Sequence, residues 1–261
     1  MLLKDALGLF DPGIHPEALG VEVEMEFKDA YPMISDGVWR IDVDHSLKGW
    51  AAEYVSTPMQ RDELEQNLQN LYELFKSSTP NPSIRCGVHI HINVMHMEVK
   101  QIMRMFVVWF ILENMLVKKA GPQRESNLFC LRVQDADYIV TAFEQALKNN
   151  NLLKLSTDNL RYTTLNPVSL FKYGTVESRV LATPKDYKKI VEWVDILLKV
   201  KEFSCKVDNI VTFLEQISMN DRAFVESVLG PDYEKYLYKG WKKDLWENMR
   251  LVQHICYLLE K

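Results

Sequence analysis

Long apolar runs are missing from this chain. The longest wholly apolar stretch covers 105–112, between Arg104 and Glu113. A membrane-spanning helix needs about twenty such residues, so no transmembrane span is expected. Met1-Leu2-Leu3-Lys4-Asp5 has an acid at its fifth place and too short an apolar run for a secretory signal. Glycine and proline number 10 each in 261 residues, which excludes collagen-like and low-complexity architectures. The four cysteines, at 86, 130, 205 and 256, form no C-x-x-C pair, so reduced thiols and a cytoplasmic protein are expected. Neither sign of charge dominates. The 36 acids against 31 bases leave a net −5, which disfavours a protein built to coat nucleic acid or an acidic membrane, with a local basic groove left open. What is present, 47% hydrophobic and 26% charged residues, is the make-up of a globular chain able to bury a sizeable core.

The first half mixes alternating stretches with helices. Residues 20–27 place Val21, Val23, Met25 and Phe27 on one side and Glu22, Glu24 and Glu26 on the other. A period of two predicts a half-buried strand. Strands are also predicted over 38–42, 50–56, 85–95, 161–165 and 175–181, with turns at Asp44-His45-Ser46, Lys48-Gly49 and Tyr173-Gly174. Helical spacing marks 61–76, 97–119 and 137–148. The second of these is apolar nearly all round and is expected to lie buried beneath the sheet. A polar loop, 123–129, follows it. From Pro184 onward helix follows helix, near 186–203, 208–217, 220–229, 232–239 and 241–260. The reading is an α+β fold, with a catalytic domain over 1–204 and a helical C-terminal extension over 205–261 packed on the same domain.

Four strands share one kind of polar face: Glu22, Glu24 and Glu26; Glu53; His89 and His91; Glu177 and Arg179. Residues i and i+2 on a strand lie about 6.6 Å apart on one face. Carboxylates at that spacing repel one another unless a divalent cation draws them together. Mg²⁺ takes oxygen ligands, and imidazole joins for Mn²⁺ or Zn²⁺. Each motif alone has a plainer reading: a solvated sheet face for the glutamates, a hydrogen-bonded pair for the histidines, a surface ion pair for Glu177 and Arg179. Tyr236, Tyr238, Trp241 and Trp246, interleaved with Lys239, Lys242 and Lys243, read either as an amphipathic helix or as a nucleic-acid or partner contact.

Six blocks occur in order: Gly20 to Glu26, Asp44 to Leu47, Glu53 to Pro58, Cys86 to His91, Arg124 to Cys130 and Tyr173 to Arg179. Together they resemble the amidoligases, a branch of the glutamine synthetase and glutamate–cysteine ligase superfamily, over about 18–186. The resemblance implies a curved antiparallel sheet of the glutamine synthetase-like catalytic fold, holding ATP with Mg²⁺ or Mn²⁺. It further implies an ATP-dependent carboxylate–amine ligase acting through an acyl phosphate on a small-molecule, amino-acid or peptide substrate. By that likeness Glu22, Glu24, Glu53, His89 and Glu177 are metal ligands, while Arg179 and, less closely, Arg161 bind phosphate. Ser178 stands where a larger apolar residue is expected and should point to the reverse face. His91, Asp42 and Asp44 are candidate bases, and Arg124 a candidate for binding a substrate carboxylate. The family occurs in bacteria and their viruses, so the cytoplasm in question could be a host's. Two rivals stand beside the ligase: a metal-dependent phosphotransferase on the same fold, and a non-catalytic scaffold whose C-terminal helices bind a partner.

Overall fold

The structure, a computed structural model, describes residues 1–125 and 127–261. Ser126, in the loop expected over 123–129, lies outside the described residues. Six strands, β1 Leu19–Phe27, β2 Trp39–Asp42, β3 Trp50–Ser56, β4 Gly87–Asn93, β5 Leu165–Asn166 and β6 Thr175–Ala182, form one antiparallel sheet in the order β2-β3-β1-β4-β6-β5. Among the described residues the α-helices are α1 Leu3–Leu7, α2 Arg61–Phe75, α3 Val99–Ala120, α4 Asp137–Lys148, α5 Ser169–Tyr173, α6 Lys188–Lys206, α7 Ile210–Met219, α8 Asp221–Leu229 and α9 Trp241–Leu259. The protein is thus a mixed α and β structure, with one sheet packed against helices.

Helix α3 is the support the sequence led us to expect. Every residue from Ile102 to Val117 is buried. Glu98 and Gln101 close a reciprocal capping box at its start, and Gly121 followed by Pro122 ends it. It packs on β6, and α6 and α9 pack on α3 in turn. The apolar side of the sheet, Val21, Val23, Val88, Ile90 and Val176, joins the same core. Each such side chain, fully buried, contributes about 1.5–3 kcal/mol. Trp109 of α3 donates its indole N–H to Thr164 Oγ1 at 2.9 Å, which satisfies the ring's one polar atom within this core. Ser178 pairs with Ile90 and is buried on this reverse side. A small residue there leaves the opposite face undisturbed.

Two expectations are corrected. The strand over 161–165 is instead a 3₁₀ turn, Asp158–Tyr162, followed by the two-residue β5. The turn-forming Asp158-Asn159 pair just upstream dominates the short apolar alternation. The helix near 232–239 is a single 3₁₀ turn, Tyr233–Tyr236, because Pro231 and Gly240 leave too few residues for a stable helix. Helices α1 and α5 have five residues each, too short for any periodicity to register. Tyr236 and Trp241 are buried in the core, while Lys242 pairs with Asp221 and Lys243 with Glu247. That is the arrangement of an amphipathic helix.

No helix among the described residues is long and apolar enough to cross a membrane.

Candidate active site

Strand order puts the four polar-faced strands side by side as β3-β1-β4-β6, and register lines their side chains up in three neighbouring rows. Asp42 lies opposite Glu53, and Glu53 opposite Glu24. Glu22 lies opposite His89. His91 lies opposite Glu177, and Glu177 opposite Asn166. Directly opposed residues share a face and stand within contact range. One bulge adjusts the last strand: Ile90 pairs with Ser178 but Val88 with Leu181, so Arg179 and Val180 share the place opposite His89. A bulge re-aims side chains locally, and here it sets Arg179 Nη1 3.5 Å from His89 Nδ1.

The resulting cluster is buried. Glu24 is 3% exposed, His89 6% and Glu177 6%, so the solvated-face reading of these motifs fails. His89 Nδ1 donates to Glu22 Oε2 at 3.0 Å, and its Nε2 lies 3.6 Å from Glu24 Oε1. His91 Nδ1 is hydrogen-bonded to Thr175 Oγ1 at 3.0 Å, with Nε2 3.3 Å from Glu22 Oε1. Arg179 Nη1 donates to Glu177 Oε1 at 2.5 Å, and Asn166 Nδ2 to Glu177 Oε2 at 2.6 Å. Glu24 Oε2 accepts the Gly87 N–H at 2.5 Å.

Charge is distributed unevenly. Burial opposes ionisation of Glu22, but the hydrogen bond with His89 and the nearby His91 imidazole outweigh it and hold that carboxyl far below its ordinary value. Burial likewise works against Glu177, and the charges of Arg179, His91 and His89 overcome it. Glu24 goes the other way, raised chiefly by burial. Glu53 is pushed up to about 8 by burial and by the charges of Glu22, Glu24, Asp44 and Asp42. Arg179 pairs with Glu177 and Arg40 of β2 pairs with Asp42, while neither Glu53 nor Glu24 has an arginine or lysine partner among the described residues.

Residues 16–201 match the profile of a family described as putative amidoligase enzyme. The chain belongs to that family. It is therefore related to ligase-type enzymes that act on small molecules, and the match covers every strand named above. No curated protein matches the chain.

Not every residue expected of an amidoligase comes to the cluster. Glu22, Glu24, Glu53, His89, His91, Glu177 and Arg179 do. Arg161 does not: it sits in the 3₁₀ turn, exposed, bonded to Asp158 at 3.4 Å and stacked on Tyr162. Arg124 reaches the cluster at Gly87, on the face that carries Glu24 and His89. It is 3% exposed, and its Nη2 donates to the carbonyls of Leu181 at 2.7 Å and Cys86 at 3.2 Å. An added Cβ on Gly87 would lie 2.8 Å from that nitrogen and 3.1 Å from Glu24 Oε2, so glycine there is a requirement of close approach. Glu26 is buried too but stands apart, accepting the Lys48 N–H at 2.9 Å and shaping the turn after β2. That turn brings to the cluster a carboxylate that the sequence offered only as a base. Asp44 has a carboxylate oxygen within 4.8 Å of ligand atoms on Glu24 and Glu53. Its only sequence signal was its place in the Asp44 to Leu47 block.

Proposed function

We propose that this amidoligase is an ATP-dependent carboxylate–amine ligase using Mg²⁺ or Mn²⁺ held by the buried carboxylates of the sheet. The observation that carries the reading is the row Asp42–Glu53–Glu24 beside the pairs Glu22–His89 and His91–Glu177. Like charges directly opposite one another destabilise a sheet, and a bound divalent cation reverses the sign of that interaction.

The donor set fits such a cation. Three groups have ligand atoms within 4.8 Å of one another: Glu22, His91 and Glu177; Glu22, Glu53 and His89; Glu24, Asp44 and Glu53. Glu22 and Glu53 each belong to two groups, so they are suited to bridging neighbouring ions. The all-oxygen group suits Mg²⁺, and the two with imidazole extend the fit to Mn²⁺. His91 Nε2 is buried and makes no hydrogen bond, since its approach to Glu22 is out of line for one. Cations bound here would polarise phosphate oxygens and offset their charge.

The chemistry asked of the chain is positional. A carboxylate oxygen of the acid substrate displaces ADP from the γ-phosphorus of ATP, giving an acyl phosphate. The amine nitrogen then attacks the acyl carbon, phosphate leaves, and the nitrogen gives up a proton. Arg179 and Arg124 are the guanidinium groups of the cluster, and the Nε of each is buried without a partner. Their fixed guanidinium charges would offset charge developing on a phosphoryl group. His91 borders the adjoining cavity and is placed to receive the amine's proton. Phosphate release that depends on both a carboxylate and an amine tests the reading. Hydroxylamine in place of the amine should yield a hydroxamate. Glu24→Gln and Glu177→Gln should abolish both products, and undiminished turnover in the two variants refutes the proposal. A phosphorylated product that survives hydroxylamine would instead identify a phosphotransferase.

A further inference from the structure

A cavity of about 440 Å³ adjoins the cluster at its Glu22 and His91 end. Its size is that of a small-molecule site, and its wall is built rather than accidental. The segment between α1 and β1 forms one side. Asp11 anchors that segment, accepting from Lys4 Nζ at 3.0 Å and lying 3.0 Å from His96 Nε2. Asn93 Nδ2 holds the carbonyl of His15 at 3.0 Å. Between these anchors Pro12 and Ile14 face the cavity, with Val55, Pro58 and Met95 completing an apolar lining. Phe10 stands at the rim, 85% exposed, an aromatic ring with nothing packed on it.

The polar groups of the cavity are few and unequal. Glu22 is already engaged with His89 and His91. Arg40 spends Nε and one terminal nitrogen on Asp42. Lys172 Nζ lies over the Tyr173 ring and has no carboxylate within ion-pair distance among the described residues. Arg40 and Lys172 both line this cavity, together with Glu22. The charge left free for a ligand is therefore positive, while the body of the cavity is mainly apolar, with the neutral polar side chains of Ser56, Asn93 and Thr175 among its lining.

Resting on the ligase reading for its catalytic meaning, we propose that this cavity is the acid-substrate pocket, selecting a carboxylate with an aromatic or branched aliphatic body. Arg40 and Lys172 attract the anion. The apolar wall takes its side chain, and Phe10 closes over it. Glu22, the one carboxylate of the lining, is engaged with His89 and His91, so a cationic amine substrate enters elsewhere.

Binding can be read without ATP, metal or turnover, so it separates this proposal from the ligase reading. The probes are N-acetylphenylalanine, N-acetylleucine, N-acetylglycine, N-acetylphenylalanine amide and phenethylamine, titrated by ligand-observed NMR against the full chain. The two apolar acids should bind about tenfold or more tightly than the other three, the scale of one charge-assisted contact or one buried side chain. Gly20→Leu supplies a plug: an added Cβ at Gly20, which lines the cavity, lies 3.7 Å from His91 Cβ and 4.0 Å from Ser56 Oγ, ordinary contact that leaves the strand intact. It should abolish binding, while Arg40→Gln with Lys172→Gln, both on exposed side chains, should erase the preference for acid over amide. That pattern supports the pocket whether or not ATP is consumed. Binding that ignores Gly20→Leu, a preference for phenethylamine or the amide, or no binding of either apolar acid at 10 mM (roughly 3 kcal/mol of affinity) overturns it, even in a chain with proven ligase activity.

Discussion

Glu113 lies in the middle of α3, with no exposed surface, on the side of the sheet away from the cluster. One carboxylate oxygen accepts from the Val133 N–H at 2.7 Å and the other from the Thr164 hydroxyl. Burial pushes this carboxyl up to about 8. The two hydrogen bonds and the charge of Arg132 pull it partway back, and Asp135 opposes them. The folded protein therefore keeps a proton that the unfolded chain releases near 4.5. Stability from this group is fully present below 4.5 and is lost as pH rises towards 8, since the unfolded state then binds fewer protons than the folded one. At about 1.4 kcal/mol per pH unit, the whole window corresponds to about 5 kcal/mol, of which about 2–3 kcal/mol falls between pH 5 and 7. Glu113→Gln keeps the shape and the acceptor for Val133 but carries no charge. Urea unfolding of both proteins at pH 5, 6, 7 and 8 cancels every other titrating group in the difference. The variant should gain about 2–3 kcal/mol on the parent between pH 5 and 7, or about 5–10 °C in melting temperature for a chain of this size. A difference that stays flat over that range would show Glu113 to be ionised throughout and the argument wrong.

Three further outcomes are expected. Mn²⁺ at about a hundred times its dissociation constant should stabilise the protein by about 2.7 kcal/mol, and Glu22→Gln, which removes a charge from two of the three ligand groups, should shrink the gain; an equal melting shift in both proteins contradicts the metal assignment. Gly87→Ala forces a methyl against Arg124 Nη2 and Glu24 Oε2 and should cost about 1–3 kcal/mol of stability together with Mn²⁺ affinity, so parent-like calorimetry on both counts would remove the close-approach argument. Arg179→Lys should lower turnover about 10²–10³-fold, the scale of a lost donor to developing charge, whereas Arg161→Ala, whose side chain only meets Asp158 and Tyr162, should stay within about twofold of the parent. Equal damage from both would return Arg161 to the site.

The water-facing reading of the glutamates failed for a reason that sequence cannot supply. Taken alone, Glu22, Glu24 and Glu26 alternate with apolar residues as a water-facing strand would. Only pairing to β3 and β4 turns their side chains towards other acids and imidazoles, and only the surrounding turns take them out of water. The same pairing divides the three: Glu22 and Glu24 enter the cluster, and Glu26 goes to the Lys48 backbone. Arg161 was misplaced because the short segment before β5 bends into a turn, a choice settled by local hydrogen bonding over too few residues for periodicity to reveal. Asp44 went unrecognised as a neighbour of Glu24 and Glu53 because a turn residue has no face until its loop is folded against the sheet.

Alternation of apolar and polar residues determined the longer strands and which of their faces joins the apolar core, because side-chain direction along a strand has a fixed period of two. The continuous apolar surface of 102–117 determined that α3 would be buried, since such a helix has no side to offer water. Block order was enough to suggest the family. Strand order, the three rows of opposed residues, the bulge that turns Arg179 towards His89, and the cavity walled by the segment before β1 were decided by tertiary structure alone. Each depends on register and contact between segments far apart in the chain, and register is set by how the whole sheet packs on its helices.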